Sequence, residues 1–383
     1  MKRSISIGMI GITIFILSAC SAPSTAPKEP PVPTTQPTAP PATETAQDLS
    51  PELVPFSFSE RGPYHVGTSH LSLHDANRED RLVIITVWYP AVQPADGDDN
   101  TPTRDAAPDV ISAPYPLILS SSKVAKLFAP YLVSQGFVWA SVDGIDAYDH
   151  MNKQMVTQPL DILFTLDQVA SSPPEGLEGI INSEQVGVTG YSFDGFNTLA
   201  LSGARIDPEY YLTQCPDPDP TTEPLVQVNL SAFDCGPSRD WDVYAALAGD
   251  AITTSEDGLW QPITDDRIRA VMPMAGEGWW LFGERGLAAV DLPVLIIAGT
   301  DDKLYPENVL IYNHLGTSEK NMISFIGDGH MVMVTDNEHI AQIAHFATAF
   351  FGYHLQGHEE YADYFSKDFV DQYDDLFWGE YKK

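Results

Sequence analysis

Three residues far apart in this chain, Ser192, Asp302 and His330, are the types that together turn a hydroxyl into a nucleophile. A serine hydroxyl reacts poorly at neutral pH. It needs an imidazole to take its proton and a carboxylate to hold that imidazole in one tautomer. The run Gly190-Tyr191-Ser192-Phe193-Asp194-Gly195 follows residues 185–189, which alternate apolar with small or polar residues as a short buried strand does. Behind it, Phe196, Leu199, Ala200 and Leu201 fall at helical spacing. A strand, a sharp glycine-flanked turn and a helix would lift Ser192 Oγ clear of a sheet and aim backbone N–H groups at a developing negative charge. Residues 293–298 read as a buried strand running into Gly299-Thr300-Asp301-Asp302, and residues 322–326 as another, ending in Gly327-Asp328-Gly329-His330. Singly, Asp302 would serve as a helix cap and His330 as a turn histidine. All three at the C-terminal ends of strands, where open α/β sheets place their sites, make a candidate triad.

The elements that must hold these residues apart and bring them together are legible as an alternation. Residues 71–73 and 82–89 read as strands joined by a polar turn, 117–119 as a buried strand leading into Ser120-Ser121-Ser122, and 137–142 as another. Helical spacing follows at Leu127, Tyr131 and Leu132, and again at Leu160, Ile162, Leu163 and Leu166. Such alternation predicts an α/β fold with a mostly parallel sheet and helices on both faces. Between the serine helix and the strand at 268–274 lies an insertion, residues 202–267, expected to act as a cap over the catalytic face. After His330 comes a helix over about 339–355. Tyr361, Phe365, Phe369 and Tyr373, at four-residue steps, then suggest a terminal amphipathic helix docked on the core, or an aromatic face for lipid or substrate.

Residues 1–19 read as a secretion signal, with Lys2 and Arg3 at its start and an apolar run from Ile5 to Leu17 that is short for a membrane span. Leu17-Ser18-Ala19-Cys20 resembles the bacterial lipobox, which implies that Cys20 becomes an acylated first mature residue. Residues 20–54 are rich in Pro, Thr and Ala and read as a tether, leaving a domain over 55–383. With Cys20 modified, Cys215 and Cys235 are the remaining thiols, and in an exported protein they most simply form one disulfide stapling the insertion. The expected location is extracytoplasmic, anchored by lipid to a membrane or cell surface. The net charge of −33, from 20 basic and 53 acidic residues, argues against nucleic acid and anionic lipid as partners. Histidine spacing suggests no metal site, and no cofactor is expected.

Gly62-Pro63-Tyr64-His65-Val66-Gly67-Thr68, Trp88-Tyr89-Pro90-Ala91 and the serine turn resemble the platelet-activating-factor acetylhydrolase-like and predicted dienelactone hydrolase group. The resemblance covers most of residues 60–355 outside the insertion. It implies an α/β-hydrolase fold cleaving carboxylic esters, often with short or oxidised acyl chains, without a cofactor, so that a small ester is the expected partner. By motif position it makes Ser192 the nucleophile, His330 the base and Asp302 the acid. The oxyanion-hole N–H groups would come from Phe193 and the Ser121-Ser122 turn. Animal members take their acid from the preceding strand end, where this chain has Gly276-Glu277, so Glu277 is the reserve acid. Two departures stand out: Ser121-Ser122 replaces the usual His-Gly, and Asp194 replaces the usual glycine two residues past the serine. At the start of its helix Asp194 is expected to cap free N–H groups, while its charge opposes an oxyanion nearby.

Overall fold

Strands that are apolar on both faces need a packed layer on each side, and residues 115–121 and 294–299 are buried along their whole length. A computed structural model of the chain describes residues 53–94, 101–144, 153–215 and 235–382, and the folded unit runs from Leu53 to Lys383. The signal, Cys20, nearly all of the tether and residues 216–234 of the insertion lie outside the described residues. The fold is α/β, with one mixed sheet of ten strands. These are β1 (His65–Asp75), β2 (Arg81–Ala91), β3 (Thr103–Arg104), β4 (Tyr115–Ser121), β5 (Val138–Val142), β6 (Ile181–Tyr191), β7 (Ile268–Met274), β8 (Val294–Gly299), β9 (Lys320–Phe325) and β10 (Leu376–Trp378).

Their spatial order is β10-β9-β8-β7-β6-β4-β5-β2-β1-β3. Strands β4 to β9 run parallel, so the ends of β4, β6, β7, β8 and β9 share one edge. The β1–β2 hairpin adds antiparallel to β5, and β10 adds antiparallel to β9. The helices are α1 (Ser122–Ser134), α2 (Gln154–Ser171), α3 (Phe193–Leu201), α4 (Pro208–Gln214), α5 (Trp241–Ala248), α6 (Asp250–Thr253), α7 (Trp279–Leu287), α8 (Tyr305–His314), α9 (Val332–Thr335), α10 (Asn337–Phe351) and α11 (Lys367–Val370). Alternation along β4 assigns the layers. Leu117 and Leu119 join a core with Ile162 of α2, Phe196 of α3 and Trp280 of α7, whereas Ile118 joins Phe128 of α1 and Phe346 of α10 on the other face.

The insertion is stitched to its neighbours at its stem. Arg205 N–H donates to Gly286 O, Asp207 N–H to Leu281 O, and Trp260 N–H to Ile206 O. Its helix α4 packs on α7 and α5 on α2, and Cys215 is bonded to Cys235 across a sequence separation of 20.

The tail does not form the single amphipathic helix that its aromatic spacing suggested. A π-helical turn (Gly352–Gln356), a 3-10 helix (Glu359–Phe365), α11 and β10 follow one another instead. The cause is the target of the rings. Tyr364 and Phe369 converge on His345 together with Phe56 and Phe58 of the N-terminal segment, which one straight helical stripe could not achieve. By pairing with β9, β10 also covers what would be an open sheet edge.

Candidate active site

The backbone at the end of β6 explains how Ser192 is presented. Ser192 has φ 61° and ψ −121°, a conformation that a non-glycine residue keeps only when its surroundings impose it. Its N–H donates to Met274 O at 2.9 Å, and its carbonyl accepts from Gly195 N–H at 2.8 Å, locking the turn between β7 and the first turn of α3. Two glycines make the turn sterically possible. A Cβ on Gly190 would lie 2.3 Å from Asp194 O, and one on Gly195 would lie 2.5 Å from Gly276 Cα. The second close approach falls three residues past the serine, which accounts for the glycine's shift by one.

His330 and Asp302 arrive from β9 and β8 on loops tied to each other. Asp301 N–H donates to Asp328 O at 2.8 Å, and Gly327 N–H to Thr300 Oγ1 at 2.8 Å. The three predicted residues meet: His330 Nε2 is 3.0 Å from Ser192 Oγ, and His330 Nδ1 is 2.7 Å from Asp302 Oδ2. Asp302 is buried, and its other oxygen accepts from Leu304 N–H at 2.9 Å, which fixes the carboxylate plane. With Nδ1–H donated to Asp302, Nε2 carries the lone pair that faces the serine hydroxyl.

Glu277 stands elsewhere than its reserve role required. Asp302 occupies His330 Nδ1, whereas Glu277 Oε1 lies 3.4 Å from Ser192 Oγ. Its loop is braced from α8: Asn308 brackets Gly276, accepting from its N–H and donating to its carbonyl, each at 3.1 Å. Glu307 Oε1 accepts from Gly278 N–H at 2.7 Å and from Trp279 N–H at 3.0 Å.

Asp194 differs from expectation in where its charge goes. It is 1% exposed, and its carboxylate accepts from Ser121 Oγ and, at 3.2 Å, from Asn197 Nδ2. Asn197 Nδ2 also donates to Gln158 Oε1 at 2.7 Å. The acid therefore binds the end of β4 to α3 and α2 through side chains. Of the proposed oxyanion donors, Phe193 opens α3 with its ring stacked on Phe196, and Ser121 ends β4 beside the elbow. Ser122 begins α1. Ser120 anchors that turn, accepting from Trp139 Nε1 at 2.8 Å and donating to Ser121 O at 2.6 Å.

Tyr191, Asn308, Glu307 and Asn197 were not singled out in the sequence. Tyr191 Oη–H donates to His330 O at 2.6 Å, and its ring lies against the His330 ring. Burial, then the charges of Asp302 and Glu277, push its phenol well above the usual range, so it stays a donor. Only its place before Ser192 marked it. A cleft of about 690 Å³ opens between α4 and α7, lined in part by Tyr210 and Trp279. Among the described residues, no group of three or more His, Cys, Asp or Glu could hold a metal ion, and no helix is long and apolar enough to cross a membrane. No protein-family model matches this chain, and no curated protein matches it either.

Proposed function

We propose that this protein is a serine carboxylic-ester hydrolase built on an α/β-hydrolase fold. The observation that carries the reading is the continuous chain from Asp302 through His330 to Ser192, with hydrogen-bond distances at both links. The strained turn and the shared sheet edge support it. Ser192 Oγ attacks the ester carbonyl while His330 Nε2 takes its proton, and Asp302 stabilises the imidazolium that forms. The carbonyl oxygen becomes an oxyanion facing the N–H groups of Phe193 and the Ser121-Ser122 turn. Collapse expels the alcohol, which leaves with the proton from His330. Water then gives a proton to His330 and attacks the acyl-enzyme, and a second collapse releases the acid and returns the proton to Ser192.

The same reading places the enzyme outside the cytoplasm, acylated at Cys20 and held off the membrane by the tether. The Cys215–Cys235 disulfide supports an oxidising compartment. The test is hydrolysis of p-nitrophenyl acetate. The chain should turn it over, and Ser192→Ala should lower kcat by about 10⁴-fold or more. Equal rates for the two proteins would contradict the proposal.

A further inference from the structure

Away from the triad, a groove of about 580 Å³ lies on the α1 face of the sheet where β1, β2 and β5 meet. His70, Thr86, Trp88, Lys126, Ser141 and Asp143 are among its lining residues. Its polar groups are linked. Thr86 Oγ1–H donates to Asp143 Oδ2 at 2.7 Å, and His70 Nδ1 lies 2.9 Å from the same hydroxyl oxygen. A hydroxyl has one proton, so with that proton donated in the hydrogen bond to Asp143 the imidazole donates through Nδ1 and presents Nε2 as an acceptor. Among the described residues, His70 Nε2, the second oxygen of Asp143 and Lys126 Nζ make no hydrogen bond or ion pair. Trp88 adds half-buried aromatic surface, and its Nε1 is buried with no hydrogen-bond partner among the described residues.

We propose that this groove binds a neutral polyhydroxylated ligand, a sugar unit. Charge selects the class. Asp143 disfavours an anion and Lys126 disfavours a cation, so the set suits a ligand that both donates and accepts many hydrogen bonds without net charge. The indole supplies an apolar surface for the C–H face of such a ring. The place is also suited to the candidate enzyme. Asp143 follows β5, which pairs with β4, and β4 pairs with β6, which carries Ser192. Strands β5 and β6 are two strand spacings apart, about 10 Å, and their registers through β4 set Ala140 level with Val188. Resting on the esterase reading, an ester borne on the bound sugar or on the unit next to it would reach the nucleophile.

The test measures binding on the full chain carrying Ser192→Ala, so it needs no turnover and stands or falls separately from the esterase proposal. Methyl glycosides of glucose, galactose and xylose are titrated by saturation-transfer NMR and tryptophan fluorescence, with inorganic phosphate and methylammonium as charged competitors. At least one glycoside should saturate, and neither ion should displace it. Trp88→Leu and Asp143→Ala should each weaken binding by about tenfold, the worth of one or two good contacts. If either fails to fold, Lys126→Ala and His70→Ala, both at exposed positions, carry the comparison with a loss of about threefold or more. Three results would each overturn the proposal: no glycoside saturates, the folded variants bind as tightly as the parent, or phosphate displaces the sugar.

Discussion

Asp302 holds one tautomer of His330, and this is the role an amide cannot fill. Asp302→Asn should therefore lower kcat by about 10⁴-fold while the protein stays folded. Glu277→Gln should lower kcat by less than about tenfold, because Glu277 reaches Ser192 Oγ and Asp302 holds Nδ1. Steady-state kinetics on one short-chain ester compares both variants, and a dead Glu277→Gln beside an active Asp302→Asn would reverse the assignment. Asp194 is a structural tie. Removing a buried carboxylate that Ser121 and Asn197 address should cost about 2–3 kcal/mol in Asp194→Gly, measured by denaturant unfolding. The triad was legible because each member ends a recognisable strand. The direction of the Asp194 side chain was not, because Ser121 reaches it, and Gln158 reaches its neighbour Asn197, only once β4 and α2 have packed.

The two stretches that flank the sheet edge are held by different means. At one end of the sheet Asp161 of α2 accepts from Arg78 Nη1 at 2.7 Å and from Arg81 Nε and Nη2 at 2.8 and 2.7 Å. Both arginines belong to the turn region of the β1–β2 hairpin, so this buried carboxylate pins the hairpin to the helix layer. Asp161→Ala leaves Arg78 with Asp75 and takes from Arg81 its carboxylate partner, and should destabilise the fold by about 1–3 kcal/mol in urea titration. Within the insertion, the Cys215–Cys235 bond links residues 20 apart in sequence, and reduction should remove about 3 kcal/mol of stability by restoring freedom to the unfolded loop. Unchanged urea midpoints would count against either claim. Strands β4 to β9 could be read from their apolar runs, and α1, α2 and α3 from helical spacing, whereas α4 to α7 were not read, because those short helices lie in the insertion or just after β7. Nor could the tail be read. Its four-residue aromatic spacing imitates a helix, but the rings go to separate places: Phe369 to His345, Phe365 to Phe350 and His354, and Tyr373 to Phe56.

Across the whole molecule, His345 joins the two ends of the folded unit. His345 Nδ1 accepts from Phe58 N–H at 3.1 Å, and its Nε2 lies 3.3 Å from Tyr364 O. Burial lowers its pKa from 6.5 to about 4. The unfolded chain then binds the extra proton between those values. The stability contribution is fully present above pH 6.5 and is lost as pH falls toward 4, amounting to about 3 kcal/mol. His345→Phe should flatten that part of the stability profile, and an equally steep profile in the variant would show that other groups cause it. The two ends of the folded unit thus share one aromatic cluster on the α10 side, while the candidate triad lies along the sheet edge. The central claim, that Ser192 is an activated nucleophile, is tested most directly by a fluorophosphonate probe followed by peptide mass mapping. The account predicts a single adduct, on Ser192, abolished by His330→Ala. A folded protein that gains no adduct, or gains it on another residue, would contradict it.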